Sequence, residues 1–375
     1  MHGPVRMLCY LGAVPLIFGA CTSGASPSAA PPAAPPARAA APPPAAAASA
    51  PTAPASPEAL ETVRTGVLNI ASDAVFYLSE ERGYLREEGL ELETTRFDSA
   101  QRMTTPLGAD QLDVGAGAPG PGLYNAILRG IELRIIADRG RAVPGERFNC
   151  LVVRKDLLDS GAVRTMADLR GRVFAENVPG TITTYVLEKQ LRRAGVRPDE
   201  LTYTTLPFPD TLNGFANEAA DAAFLVEPFI TLGEKRGLSQ CWKPTSELEP
   251  NFQIAMILYG SVFATERADA ARRFTVAFMR GVRDYYRAFF GDGQGRAELI
   301  DLITRRTAVK DAALLDSMAP TWMDPNGSVN VDSLRALERW YIERGDVTSE
   351  VDLDRVVDTS FLDYALQRLG RQPER

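Results

Sequence analysis

Hydrophobic and polar positions downstream of residue 58 alternate between two periods. Val67-Leu68-Asn69-Ile70-Ala71 reads as a strand, and 76–83 as a helix whose last turn closes on Gly83. Leu90-Glu91-Leu92-Glu93-Thr94 repeats every two residues, the pattern of a strand with one wet face. A helix at 101–107, a strand at 112–115, a helix at 123–129 closed by Gly130 and a strand at 133–137 follow. A second series begins after Ser160. It has strands at 172–175, 201–206 and 222–226, helices at 183–194 and 211–218, and ends at Glu227-Pro228. Residues 252–263 form an apolar strand, and helical periods then run at 267–290, 295–304, 311–317, 331–344 and 353–369. Repeated strand–helix units favour an α/β class with mainly parallel sheets flanked by helices. Two such series and a helical C-terminal tail suggest two lobes with a cleft between them.

The first 57 residues follow neither period. Arg6, an apolar run over 7–18 and the small pair Gly19-Ala20 read as an export signal. The run is shorter than the roughly 20 apolar residues a membrane span needs. With Cys21 next, residues 1–21 resemble a bacterial lipoprotein signal peptide, which implies lipidation of Cys21 and attachment to the membrane through that N-terminal lipid. Residues 22–57 are dominated by Ala and Pro, which fits a disordered, partly polyproline-II tether. Composition then narrows the chemistry. The sole histidine of the 375 residues is His2, inside the signal, so a mature chain has no Ser-His-Asp triad, Cys-His pair or histidine metal site. A formal net charge of −7 gives no basic footprint for nucleic acid. With Cys9 and Cys21 in the signal, Cys150 and Cys241 are left. An exported chain admits a disulfide between them or two buried thiols, and no metal or cofactor set stands out.

Five local phrases recur in a fixed order: Glu80-Glu81-Arg82-Gly83-Tyr84-Leu85-Arg86-Glu87-Glu88-Gly89-Leu90, then Gln111-Leu112-Asp113-Val114-Gly115, then Leu151-Val152-Val153-Arg154-Lys155-Asp156, then Met166-Ala167-Asp168-Leu169-Arg170-Gly171-Arg172, then Ala220-Asp221-Ala222-Ala223-Phe224-Leu225-Val226-Glu227-Pro228-Phe229. Together they resemble the bacterial solute-binding proteins for nitrate, sulfonate and thiamine-pyrimidine precursors. The resemblance implies a type II periplasmic-binding fold, with 60–160 plus 245–375 as one lobe and 161–244 as the other. It also implies a monomer on the extracytoplasmic face, periplasmic or at the cell surface. Such a protein hands a small molecule to the permease and ATPase subunits of an ABC importer, with no catalysis and no cofactor.

In that family the ligand meets the turns that follow the strands. Here these are Ser72-Asp73 with an aromatic from Phe76-Tyr77, Asp98-Ser99, Gly115-Ala116-Gly117-Ala118, Asn177 with Gly180 and Thr181, Phe208, and Glu227. Each has a plainer reading. Ser72, Asp73 and Thr181 are ordinary helix caps, and Phe76 suits a core. Glu227 suits either a ligand amine or a braced hinge. Residues 115–120 also satisfy G-x-G-x-x-G after a strand, but Asp113 interrupts that strand and Pro119 removes an amide that a phosphate would use. Acidic and aromatic groups without a placed cation suit a neutral or weakly cationic aromatic heterocycle, such as a pyrimidine. The alternatives are a nitrate- or sulfonate-type oxyanion held by Arg139 or Arg141, and a sensory binding protein with no transport role.

Overall fold

The computed structural model describes residues 59–373. The expected signal peptide 1–21, the expected lipidation site Cys21 and all of the expected tether 22–57 lie outside them. Among the described residues, ten strands form two sheets of five. The first sheet takes β1 (Glu61–Val67), β2 (Leu90–Arg96), β3 (Val114–Gly117), β4 (Leu133–Ala142) and β10 (Phe252–Gly260), in the order β2-β1-β3-β10-β4. The second takes β5 (Asn149–Arg154), β6 (Val173–Glu176), β7 (Thr202–Thr205), β8 (Ala222–Val226) and β9 (Ser239–Pro244), in the order β7-β6-β8-β5-β9.

Both sheets are mixed, with one strand of five reversed in each. Four strands of each point the same way, and the fourth in line is antiparallel to its neighbours on both sides: β10 in the first sheet, β5 in the second. That strand is also where the chain arrives from the other sheet. Because β5 pairs with β8 and β9, residues 149–154 belong to the second sheet, so the chain crosses at 143–148 and not near 160. The return crossing is 245–251.

Side-chain alternation builds the interior. Along β5, Cys150 and Val152 enter a cluster private to the second sheet, while Leu151 and Val153 enter a larger one. Along β10, Ile257 and Tyr259 face the first sheet's own cluster, and Met256 and Leu258 enter that same larger one. The shared cluster therefore holds apolar groups of both sheets. It also holds Leu334, Leu337, Trp340 and Tyr341 from the helix Val331–Arg344. On the far face of the first sheet, the helix Ala268–Phe290 buries Phe274, Phe278 and Tyr285 at helical spacing, with Phe278 5.6 Å from the Phe76 ring.

Two elements depart from the sequence pattern for physical reasons. β1 ends at Val67, where the pattern placed its start, because Arg64 inside it is matched by charges: its guanidinium reaches Asp113 at 2.7 Å. The helical period over 353–369 is broken into Leu353–Val356 and Ser360–Leu369. Between them Val357 bridges Ile135, and the Asp358 N–H donates to the Ile135 carbonyl at 2.9 Å, docking the segment on β4.

Candidate functional site

Register decides which edges of the two sheets meet. Met256 lies opposite Gly117 and Phe252 opposite Ala142, so β4 ends and β10 begins beside the carboxyl end of β3. In the second sheet Asn149 lies opposite Val226 and Cys150 opposite Pro244, so β5 begins and β9 ends beside the carboxyl end of β8. The crossings 143–148 and 245–251 thus join carboxyl edge to carboxyl edge. A link of about seven residues spans at most about 25 Å. The Ser246 hydroxyl donates to the Glu146 carbonyl at 2.6 Å, drawing the two crossings together, and the Glu227 N–H donates to the Phe148 carbonyl at 3.0 Å, tying the end of β8 to the first crossing. The strand-to-helix turns of both sheets converge on the gap between those edges, where open α/β sheets hold ligands.

The turn after β1 is organised by Asp73. Its Oδ2 accepts the N–H groups of Leu68 and Ile70, each at 3.0 Å, and its Oδ1 pairs with the Arg139 guanidinium. Asp73 and Ser72 are buried, and the carboxylate has no lone pair aimed at solvent. Phe76 and Tyr77 turn inward. Phe76 packs on Phe274 and Phe278, and Tyr77 is buried with the Arg306 guanidinium 4.3 Å over its ring. The apolar group this turn leaves exposed is Ile70, at 38%. After β2, Asp98 is exposed beside Arg102 at 3.8 Å, and Ser99 is half-buried.

Gly115, Ala116 and Gly117 lie inside β3, registered with Leu258, Ile257 and Met256 of β10. Their backbone is committed to the sheet, which removes the phosphate-cradle reading of G-x-G-x-x-G. Gly117 holds φ 154°, and a Cβ there would lie 2.3 Å from the Ala100 methyl, so the glycine permits close packing of the next turn. Ala118 is exposed.

In the second sheet, Asn177 and Gly180 are half-buried, and Gly180 adopts φ 71°. The N–H groups of Gly180 and Thr181 both donate to the Thr184 hydroxyl, at 3.0 and 3.2 Å, and that hydroxyl donates to Glu176 at 2.8 Å. The Thr181 hydroxyl donates to the Val178 carbonyl at 3.2 Å, and Val178 is 50% exposed. Phe208 opens the helix Phe208–Ala216 and lies 5.8 Å from the Phe229 ring. Phe229 is the aromatic residue that sequence reasoning missed, although it follows Pro228 directly.

Glu227 is buried, and burial raises its pKa. It accepts the Thr231 N–H at 3.1 Å, the Thr231 hydroxyl at 2.8 Å and the Ala319 N–H at 3.2 Å. Glu146, in the first crossing, is pushed up to about 8 by burial, with the Glu227 carboxylate adding to the shift. The two arginines also have partners. Arg139 is buried against Asp73 with its Nε unbonded, and Arg141 binds Asp324 at 2.7 Å and stacks on Trp322 at 5.2 Å. Cys150 and Cys241 form a disulfide between the neighbouring strands β5 and β9, with Cα atoms 5.6 Å apart. Among the described residues no cluster of three or more His, Cys, Asp or Glu could hold a metal ion.

A family model described as "NMT1/THI5 like" matches residues 71–288, more than half of the chain. The chain belongs to the NMT1/THI5-like family. The matched span begins within the turn after β1 and contains the other five turns, together with both crossings. No curated protein matches the chain. Among solved structures, the periplasmic aliphatic sulphonate binding protein of Escherichia coli is similar, with 18% identity and a TM-score of 0.63 over 79% of this chain and 97% of that one. The periplasmic nitrate-binding protein of Synechocystis PCC 6803 gives 14% identity and a TM-score of 0.62 over 83% and 89%. A desulfurization enzyme, DSZB, gives 17% identity and a TM-score of 0.59 over 82% and 99%. These likenesses establish the two-sheet binding-protein fold.

Proposed function

We propose that the protein is an extracytoplasmic solute-binding component that captures a small molecule between the two carboxyl edges and delivers it to an ABC importer. The convergence of strand-to-helix turns from both sheets on one gap, joined by two short crossings, carries this reading. Lobes separated by such crossings close around a solute that touches both, and the solute's differential affinity drives closure. The family and the periplasmic binding proteins among its structural relatives support it. A catalytic reading is weaker: both cysteines among the described residues are bridged to each other, and the one histidine is His2.

The solute class follows from what the turns leave free. Asp73, Glu227, Arg139 and Arg141 are engaged with other groups of the protein. Ile70, Val178, Ala118 and the Phe208–Phe229 pair remain, with amide and hydroxyl groups at Asn177 and Ser99. This lining suits a neutral, flat heterocycle such as a pyrimidine, stacked on Phe208 and hydrogen-bonded by Asn177. One observation favours the second reading, an oxyanion: the buried Nε of Arg139 has no partner.

A thermal-shift panel of pyrimidines, flavins, amines, alkanesulfonates and nitrate tests both readings. A solute at about 100 times its dissociation constant adds about 2.7 kcal/mol, which raises the midpoint by several degrees. Stabilisation by heterocycles supports the first reading, and stabilisation by oxyanions alone transfers the site to Arg139. Uptake of the stabilising solute lost on deletion of the chain supports transport, and unchanged uptake points to sensing.

A further inference from the structure

The crossings are not the only connections between the two sheets. The helix Val331–Arg344 is built from the C-terminal tail, yet it is fastened to both. On the first-sheet side, the Tyr124 hydroxyl donates to the Leu334 carbonyl at 3.1 Å, and the Asn125 amide donates to the Asp346 carbonyl at 2.7 Å. Both residues belong to the helix Pro121–Leu128, which springs from the turn after β3. On the second-sheet side, Glu188 of the helix Ile182–Arg193 receives the Trp340 indole N–H at 3.2 Å and the Arg344 guanidinium at 3.0 Å. Arg344 is oriented in turn by Asp346 at 2.8 Å. The same turn lies beside the 177–181 loop, since a Cβ on Gly180 would be 3.7 Å from the Arg344 guanidinium and 4.0 Å from the Asp346 carboxylate.

We infer that Arg344 is a positioning residue that latches the two walls of the gap together from the side. Its helix stays with the first sheet through Tyr124 and Asn125, so opening the gap must separate Arg344 from Glu188. The geometry explains why a cation stands there. Glu188 is buried, and a carboxylate drawn out of water holds its partner more firmly than one at the surface. Gly180 itself is favoured by its φ of 71°, since a Cβ there would make only ordinary contact with Arg344. The latch therefore biases the protein toward the closed arrangement before any solute arrives, and a solute pays less of the closing cost.

This inference rests on the two-walled binding gap proposed above, and its test uses no solute, so the two fail separately. Nitroxide labels at Arg102→Cys and Asp210→Cys, exposed positions on the first and second walls, report the gap width by pulsed electron resonance in the full chain with Cys9→Ser and Cys21→Ser. With Arg344 intact, one short distance dominates. In R344A a longer population appears, and R344K, which keeps the charge but loses the fork, falls between. An R344A distance distribution identical to that of the intact chain overturns the latch. So does a loss of thermal stability with no change in distance, which marks Arg344 as structural only. Should R344A fail to fold, E188Q breaks the same contact from the other wall and is read the same way.

Discussion

Asp73 shows why a residue type alone does not reveal its role. A carboxylate in a strand-to-helix turn has the chemistry of a ligand acceptor, but here two backbone N–H groups and Arg139 take its lone pairs. D73N should leave the Arg139 cation buried without a counter-ion and destabilise the fold by about 3–5 kcal/mol in a denaturant titration. Phe208 is the opposite case, an aromatic held at a turn by a second ring. F208A should weaken binding of the stabilising heterocycle at least tenfold by calorimetry, with a small loss of stability. Glu146 gives the residue-scale pH dependence. Its carboxyl, ordinarily near 4.5, titrates at about 8 in the fold because burial disfavours the anion. The folded state thus binds this proton more tightly than the unfolded chain does. Its contribution is greatest below pH 4.5 and is lost as pH rises through 8. Asp138, wholly buried and pushed up to about 6, adds a decline between about pH 4 and 6. E146Q should flatten the stability profile between pH 6 and 8, leaving the Asp138 portion in place.

Elements were legible in the sequence where their period was long and uninterrupted. The helix Val331–Arg344 coincides with its apolar repeat, and Ala268–Phe290 differs from its pattern by one residue. Strands were harder. β9 carries Gln240, Lys243 and Pro244 and has no apolar alternation to announce it; it exists because β5 needs a partner on its outer edge. β1 was displaced because its polar positions are neutralised by residues about 50 and 200 positions away, which no local window contains. Two predictions belong at this scale. Replacing Cys150 and Cys241 together by serine should lower the unfolding free energy by about 2–5 kcal/mol, as expected for a bridge closing a loop of this size, and reductant should reproduce the loss in the native chain. G117A should destabilise strongly through its contact with Ala100, and the double change G117A/A100G should recover part of the loss, the backbone strain at residue 117 remaining.

For the whole molecule, composition and the order of short phrases were enough to reach the α/β class, the two-fold repetition and the family. The site was only half legible. Sequence located most of the strand-to-helix turns, though Gly115, Ala116 and Gly117 fall inside β3, and it did not show which side chains of a turn face inward: Ser72, Phe76 and Tyr77 go to the interior, while Ile70 and Val178 stay exposed. That choice depends on sheet register and on distant charges such as Arg139, and neither leaves a local signal. The boundary between the lobes was shifted for a similar reason. A central buried strand such as β5 reads the same whichever sheet it joins, and only its pairing with β8 and β9 assigns it.

The late position of β10 in the chain orders the assembly of the two sheets. Every strand of the second sheet lies within residues 149–244, so that sheet is complete once this stretch is available. The first sheet is not. Its edge strand β4 joins the sheet through β10, which appears more than a hundred residues later. Until residue 260 has emerged, β1–β3 present an open edge and β4 has no place to dock. Local pairing is fast and distant pairing slow, so the later-coded half of the binding gap is finished before the earlier one. The molecule matures from its middle outwards, and its N-terminal strands are the ones left waiting with an exposed edge for aggregation to exploit.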